Sequence, residues 1–565
     1  MTARVSSLGL AIALGVLACA APARYPLREP LSDDDDRRPF VPVPEEYESP
    51  FAWDGANQTV FRPLARFFAV DPAGSAANVN ALDEVPNSSW FQNRIGVRAM
   101  TADEVARGAC DDKILDPNGP DGSWIVDHGK DNGANPGFRV NVAGIGKFML
   151  KTDPASEPER ATGATAIASR VYHAAGYFAP CDSVVYFRPS LLKLKPGLQV
   201  TNNQGVTTPF DQAALAKILA SASHRDGLVR MVASKWLPGK AIGPYTYDGM
   251  RADDPNDAIP HEDRRELRGA RLLAAWLNHF DSREQNTMDV FLPSDPKRKD
   301  GPGFLVHYII DLGDCFGSVW TDDAISRRLG SSYLLDFPYL AEDFVTFGAI
   351  SRPWERARRT GGIFNYFSAR DFDPELWRGE YPNPAFGRMT EADGAWAARI
   401  IARFSDELVA SLASVGKYDA ESTRYLSETL RERRDAILRR YLMRLSPISD
   451  VHLQGDQLFG IDLARRSHVV SDAPASLQAR AYVGADARRA DALPVRLLPD
   501  AVIATVLAHH ASDGGPADDD PTRYLVVELS NGYARGPLRA HLYDLGPRRG
   551  FRLVGLERPE TESAR

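Results

Sequence analysis

Cysteine is scarce, with four in 565 residues. Their spacings match no zinc motif, and no Cys–His pair stands out as a catalytic couple. There is no G-x-S-x-G elbow and no G-x-x-x-x-G-K-[ST] loop, which removes the nucleophile-elbow hydrolases and the P-loop NTPases. Basic charge is not in excess: 67 Lys and Arg stand against 75 Asp and Glu, a net charge of −8. That balance argues against a nucleic-acid partner. After the first twenty residues no apolar run is long enough to span a bilayer. No internal repeat is apparent.

What is present is ordinary globular material, 44% apolar and 25% charged. The length predicts two to four domains. Residues 5–18, VSSLGLAIALGVLA, form an apolar stretch too short to span comfortably and read as a cleaved signal peptide. Val16, Leu17 and Ala18 before Cys19 resemble a bacterial lipobox. That resemblance implies lipidation of Cys19 and anchoring at the cell envelope, on a bacterial membrane facing periplasm or exterior. Residues 19–50, rich in Pro and acid and including SDDDDRR (32–38), read as a solvated tether. Cys110, Cys181 and Cys315 are odd in number, so at least one thiol stays free; a Cys110–Cys181 bridge is possible.

Residues 78–94, NVNALDEVPNSSWFQNR, are the densest polar and aromatic cluster, read as a packed N-terminal extension or a binding loop. SWIVDHG reads as a strand, and KDNGANPG, with Gly133 and Gly137, as a loop. FRVNV and KFMLK (147–151) around AGIG give a hairpin. The spacing of Ala164, Ile167, Ala168 and Val171 predicts a helix over 157–176, stopped by Gly176. LVRMVASKWLPGKAI (228–242) reads as a strand entering a turn at Pro238-Gly239. The stretch 259–280 reads as a helix with a stripe of Leu267, Ala270, Ala274 and Leu277. Two strong helices are expected over 391–414 and 419–444. Beyond 450 the alternation is β-rich.

The stretch LNHFDSREQNTMDVFL (277–292) starts at the end of that second helix. DVFL (289–292) and FLVHYIID (304–311) have the pattern of an antiparallel hairpin. Closing it brings Asn286 beside Asp311, with Asp281 at the far end of the delivering loop. Two carboxylates and an amide oxygen are hard ligands that suit Mg²⁺, which takes few carboxylates and keeps water and phosphate oxygens. Upstream, the glycine turn offers backbone N–H groups to phosphates. Lys151 offers a positive charge, and Glu157 or Glu159 a carboxylate to hold it.

In this order the parts resemble the protein-kinase-like fold, in its divergent HipA-type and CotH-type branches. H-x-D-x-x-x-x-N appears as His279-Phe280-Asp281 through Asn286, and acid-x-Gly as Asp311-Leu312-Gly313. The resemblance covers roughly 121–445. It implies an α+β fold: a bilobal body with a β-rich N-lobe (121–240) and a helical C-lobe (241–449). Residues 51–120 precede it, and a small β domain, read as a sandwich, follows over 450–565. It implies Asp281 as catalytic base, Asn286 and Asp311 on Mg²⁺, and Lys151, Glu159 and Gly133 at ATP, with an unidentified protein or small-molecule acceptor. MVASKWLPG occupies the place of the hinge. The sequence departs from the pattern in lacking G-x-G-x-x-G and in carrying Phe280 where arginine is usual. EVPNSSWF, IPHEDRRELRG and YPNPAF also resemble a group of bacterial exported lipoproteins.

Other readings compete. Lys151 also fits an edge-strand surface lysine, and the glutamates fit helix N-terminal charge stabilisation. Asp281 and Asn286 also fit a helix-end turn. His261, His279 and His307 with the same acids would suit a metal-dependent hydrolase. A kinase-like frame without turnover would serve as a scaffold.

Overall fold

The computed structural model describes residues 25–47, 51–68, 74–130, 135–154, 156–201, 206–319, 322–359, 362–470, 477–484 and 490–561. Residues 1–18, Cys19 and Gly133 lie outside them. The fold is α+β.

Strands β1 (Trp124–Lys130), β2 (Gly137–Val142) and β3 (Gly146–Lys151) form a meander. Helix α1 (Arg160–Ala175) follows, then β4 (Asp182–Phe187), β5 (Leu192–Leu194) and β6 (Leu228–Lys235). The sheet runs β4-β6-β3-β2-β1-β5, antiparallel except for β1 with β5. Alternation builds its core: Phe138, Val140, Phe148 and Leu150 turn inward and pack on Trp124, Phe187 and Met231.

The strand expected from 228 ends before the expected turn at Pro238-Gly239, and a second strand follows that turn. Pro238 and Gly239 end β6, and β7 (Lys240–Gly243) leaves for another sheet. There it pairs with the hairpin of β8 (Thr287–Pro293) and β9 (Gly303–Ile309). The helix expected over 259–280 is α2 (Arg265–Leu277), preceded by a single 3₁₀ turn at His261–Asp263. After a short helix over Asp323–Arg328 comes helix α3 (Phe337–Thr346). The helix expected over 391–414 is broken into α4 (Glu391–Ile401) and α5 (Asp406–Val415), because Ser405 caps the N–H of Leu408 and starts a new helix. Helix α6 (Ala420–Tyr441) closes this part. Ile167 and Val171 of α1, Leu273 and Trp276 of α2, Trp396 of α4 and Leu430 of α6 share one core.

The C-terminal part has β10 (Ile448–Gln454), β11 (Gln457–Asp462), β12 (Gln478–Val483), β13 (Ala490–Leu493), β14 (Val495–Leu498), β15 (Val502–Val506), β16 (Tyr524–Ser530), β17 (Leu538–Asp544) and β18 (Phe551–Glu557). They form two antiparallel sheets, β10-β11-β15-β14 and β13-β12-β16-β17-β18. Leu458 and Ile503 of one share a core with Leu525, Val527 and Leu542 of the other.

The polar cluster at 78–94 is packed, as the extension reading expects. Trp90 stacks on His307 at 3.5 Å between ring centres and lies under the Arg264 guanidinium. Asp83 receives Arg265 of α2, Arg399 of α4 and Arg558 beyond β18. The stretch read as a tether is docked over 25–47. Tyr25 Oη reaches the Leu556 carbonyl, and Tyr543 Oη donates to the Tyr25 carbonyl at 3.0 Å. Asp36, inside the acidic run, is buried and accepts from the N–H and hydroxyl of Ser89. Phe40 bridges to Gly303, and Tyr47 N–H donates to the Ile242 carbonyl at 2.7 Å. Among the described residues no helix is long and apolar enough to cross a membrane.

Cys110 and Cys181 are bonded across 71 positions, and Cys315 is a buried free thiol. A loop of that length, opened by Cys110→Ser with Cys181→Ser, should cost on the order of 4 kcal/mol, read from denaturant unfolding. Asp83→Ala leaves buried guanidinium groups without their carboxylate and should cost about 3–5 kcal/mol by the same measurement.

Candidate functional site

Lys151 ends β3, and its Nζ lies 2.9 Å from Asp311 Oδ1. Asp311 follows β9 in left-handed backbone (φ 54°), a conformation that few non-glycine residues adopt. Its carboxylate is 48% exposed, while Lys151 is mostly covered. Lys151 beside it holds the Asp311 carboxyl below the usual carboxylate range. Burial pulls the Lys151 ammonium down, but Asp311 more than offsets this and leaves it raised.

A second lysine joins them. Lys130, Gly137 and Lys151 stand in one row across β1, β2 and β3. Strict alternation from Trp124 and Val126 would turn Lys130 into the sheet's core. A bulge between Val126 and His128 shifts the register and gives Lys130 the same face as Lys151. Its ammonium donates to the Asn135 carbonyl at 2.8 Å. Burial first, then the Lys151 charge, depress it to about 8. A side chain at Gly137 would sit 2.2 Å from the Leu150 carbonyl oxygen, so this position needs glycine.

The opposing wall is built by the end of α2. Asn278 caps the helix in left-handed backbone, and His279 N–H returns to the Ala274 carbonyl at 2.8 Å. His279 Nδ1 meets Tyr172 Oη of α1 at 3.0 Å, and burial depresses the imidazole to about 4. His261 and His307 pair instead with Asp257 and Asp289, so the three histidines do not converge.

Asp281 is buried. Asn286 Nδ2 donates to its Oδ2 at 2.8 Å and to its carbonyl at 2.7 Å, and Arg283 Nε stands 2.9 Å from Oδ1. Burial raises its carboxyl well above the normal range, and the nearby Glu380 adds to the rise. The β8–β9 hairpin forms as expected, with Thr287 opposite Ile309. Ile310 N–H then donates to the Asn286 carbonyl at 2.9 Å, so the backbones of Asn286 and the residue before Asp311 touch. Asp314 belongs to the same group: burial, then Asp281, push it up to about 7, with Asp311 adding.

Neither helix glutamate reaches Lys151. Glu159 pairs with Arg225 at 2.8 Å, and Glu157 with Arg160 at 2.7 Å. Arg160 also donates to the carbonyls of Gly313 at 2.8 Å and Cys315 at 2.7 Å, which fastens the acid-x-Gly loop to the start of α1. A different acid faces Lys151: Asp182 at the start of β4, pushed up to about 6 by burial.

This group sets Lys130 and Lys151 against Asp311, Asp281, Asp314 and Asn286. Among the described residues no three His, Cys, Asp or Glu groups stand arranged as a metal site. The donor set here is an exposed carboxylate with a neighbouring amide and acids, which fits Mg²⁺, an ion that needs one or two protein carboxylates and completes its shell with water and phosphate. Lys130, Asp182 and Asp314 were absent from the sequence-level site. Only Asp314, the residue directly after the glycine of Asp311-Leu312-Gly313, carried a local signal.

The depressed Lys130 has a measurable consequence. Between about pH 8 and the ordinary lysine range, the native state has released this proton and the unfolded chain retains it. Stability contributed here therefore rises with pH across that window. Lys130→Met should flatten the rise, read as the unfolding midpoint in denaturant from pH 7 to 10. No protein family, curated protein or solved structure matches the chain.

Proposed function

We propose that this chain is an envelope-anchored, kinase-like protein that binds a magnesium nucleotide in the cleft and transfers a phosphoryl group to a hydroxyl acceptor. The observation that carries the reading is the Lys151–Asp311 pair at 2.9 Å beside the Asp281–Asn286 loop. In kinases the lysine of the third strand faces the phosphates, and the acid-x-Gly acid and the catalytic-loop asparagine take the metal. The sheet order, the linker after β6, and the passage from α2 through the loop into a hairpin support a bilobal body. The shared core of the two C-terminal sheets supports a sandwich.

In this reading Asp311 and Asn286 hold Mg²⁺, which when bound neutralises phosphate charge. Lys151 and Lys130 face the phosphate oxygens. Asp281 orients the acceptor hydroxyl and takes its proton as the new O–P bond forms and the bond from the γ-phosphorus to the bridging oxygen breaks, releasing the nucleoside diphosphate. Cys19 carries the lipid. One observation favours a second reading, a binding scaffold without turnover: with Glu157 and Glu159 both engaged by arginines, no α1 carboxylate aligns Lys151.

Mg-ATP should raise the melting temperature by on the order of a few degrees at saturation, and Asp311→Ala should abolish the rise. Asp281→Asn should keep the rise and lower phosphoryl transfer by roughly 10²–10⁴-fold. A rise without transfer selects the scaffold. No rise in the unaltered protein removes the nucleotide reading.

A further inference from the structure

Helix α3 is built inside out. Asp336 caps its start by accepting from Tyr339 N–H, and Phe347 ends it in left-handed backbone. At 100° per residue, Phe337, Leu340, Phe344 and Val345 share one stripe, and Tyr339, Glu342, Asp343 and Thr346 the other. The polar stripe faces the body. Arg352 pairs with both Glu342 and Asp343, the latter at 2.7 Å, and lies over the Tyr339 ring. Tyr339 in turn packs on Trp354. The apolar stripe faces out: Phe344 is 83% exposed, Val345 74% and Phe347 96%. No residue of the helix is buried.

The geometry points to a lipid surface as the occupant of this face. The acids of α3 are already answered by Arg352, so the outward side carries no negative charge of its own. Exposed Arg356 and Arg358 follow in sequence and complement anionic headgroups. A helix of ten residues is far too short to span, so it lies in the interface with its aromatic face down. An apolar helix face flanked by arginines gains both from burying its rings among the acyl chains and from attraction to anionic headgroups. We propose that α3 docks this protein onto an anionic membrane, independently of what the cleft binds.

The test uses the full-length chain carrying Phe347→Cys, labelled with a nitroxide and mixed with phosphatidylglycerol–phosphatidylethanolamine vesicles. Both labelled variants also carry Cys19→Ser; Cys315 is fully buried and Cys110–Cys181 is bonded, so the label goes to the new thiol. A label at Val97→Cys, on an exposed site of the extension, is the reference. Co-sedimentation reads attachment, and the label reads the helix. The expected result is that vesicles lower collisions of the Phe347 label with a water-soluble nickel reagent and raise its collisions with oxygen. Pure phosphatidylcholine should weaken both changes, as should Phe344→Ser in the anionic vesicles. A water-like label on sedimented protein overturns the proposal. So does protection without vesicles that grows with protein concentration, which would assign the face to a second copy.

Discussion

One carboxylate holds three distant parts of the chain in register. Asp83, itself in left-handed backbone, receives guanidinium groups from α2, α4 and the segment after β18. Arginines are expensive to bury, and the cost shows in Arg558, depressed to about 10 by burial first and by Arg399 next. Glu84 and Asp393 share the load through Arg399 and Arg265. The cluster is favourable only with every contributor present. The extension is therefore an internal strut rather than a periphery. Through Trp90 on His307 it also backs the hairpin that delivers Asn286 and Asp311.

The Lys151–Asp311 group applies the same constraint with the opposite outcome. Lys130 and Lys151 share the sheet with Asp182, and the direct Lys151–Asp311 contact leaves Asp281, Asp314 and Glu380 crowding one another. The glutamates before α1 hold structure: Arg160, neutralised by Glu157, grips the carbonyls of Gly313 and Cys315. A shift of α1 must move that loop with it. Nearby, the Cys110–Cys181 bond fixes the residue before Asp182, whose carbonyl is held by Arg170 of α1. The extension, α1 and the lysine wall are thus mechanically connected.

Much of this was readable from residue order. The meander, α1, the helix–loop–hairpin and the β-rich end follow from periods of two and 3.6 with glycine and proline punctuation. The approach of Asn286 to Asp311 follows from hairpin closure alone. What was hidden depends on contacts between distant segments. Lys130 reads as inward facing until a bulge is known. Glu159 stands where a lysine partner belongs, but Arg225, far along the chain, takes it. Asp36 lies in a run of acids that looks wholly solvated, and only the fold brings Ser89 to it. The break between α4 and α5 hung on a single capping serine.

The seat of Tyr25 between Tyr524 and Tyr543 carries a consequence for posture. Six peptide steps separate Cys19 from that seat, a leash of at most about 20 Å even when taut. With an acyl chain on Cys19, as proposed, the C-terminal sheets ride close above the headgroups. The protein then has little freedom to tumble, and which face it turns to that surface depends in part on where an aromatic ring sits on a β-sheet.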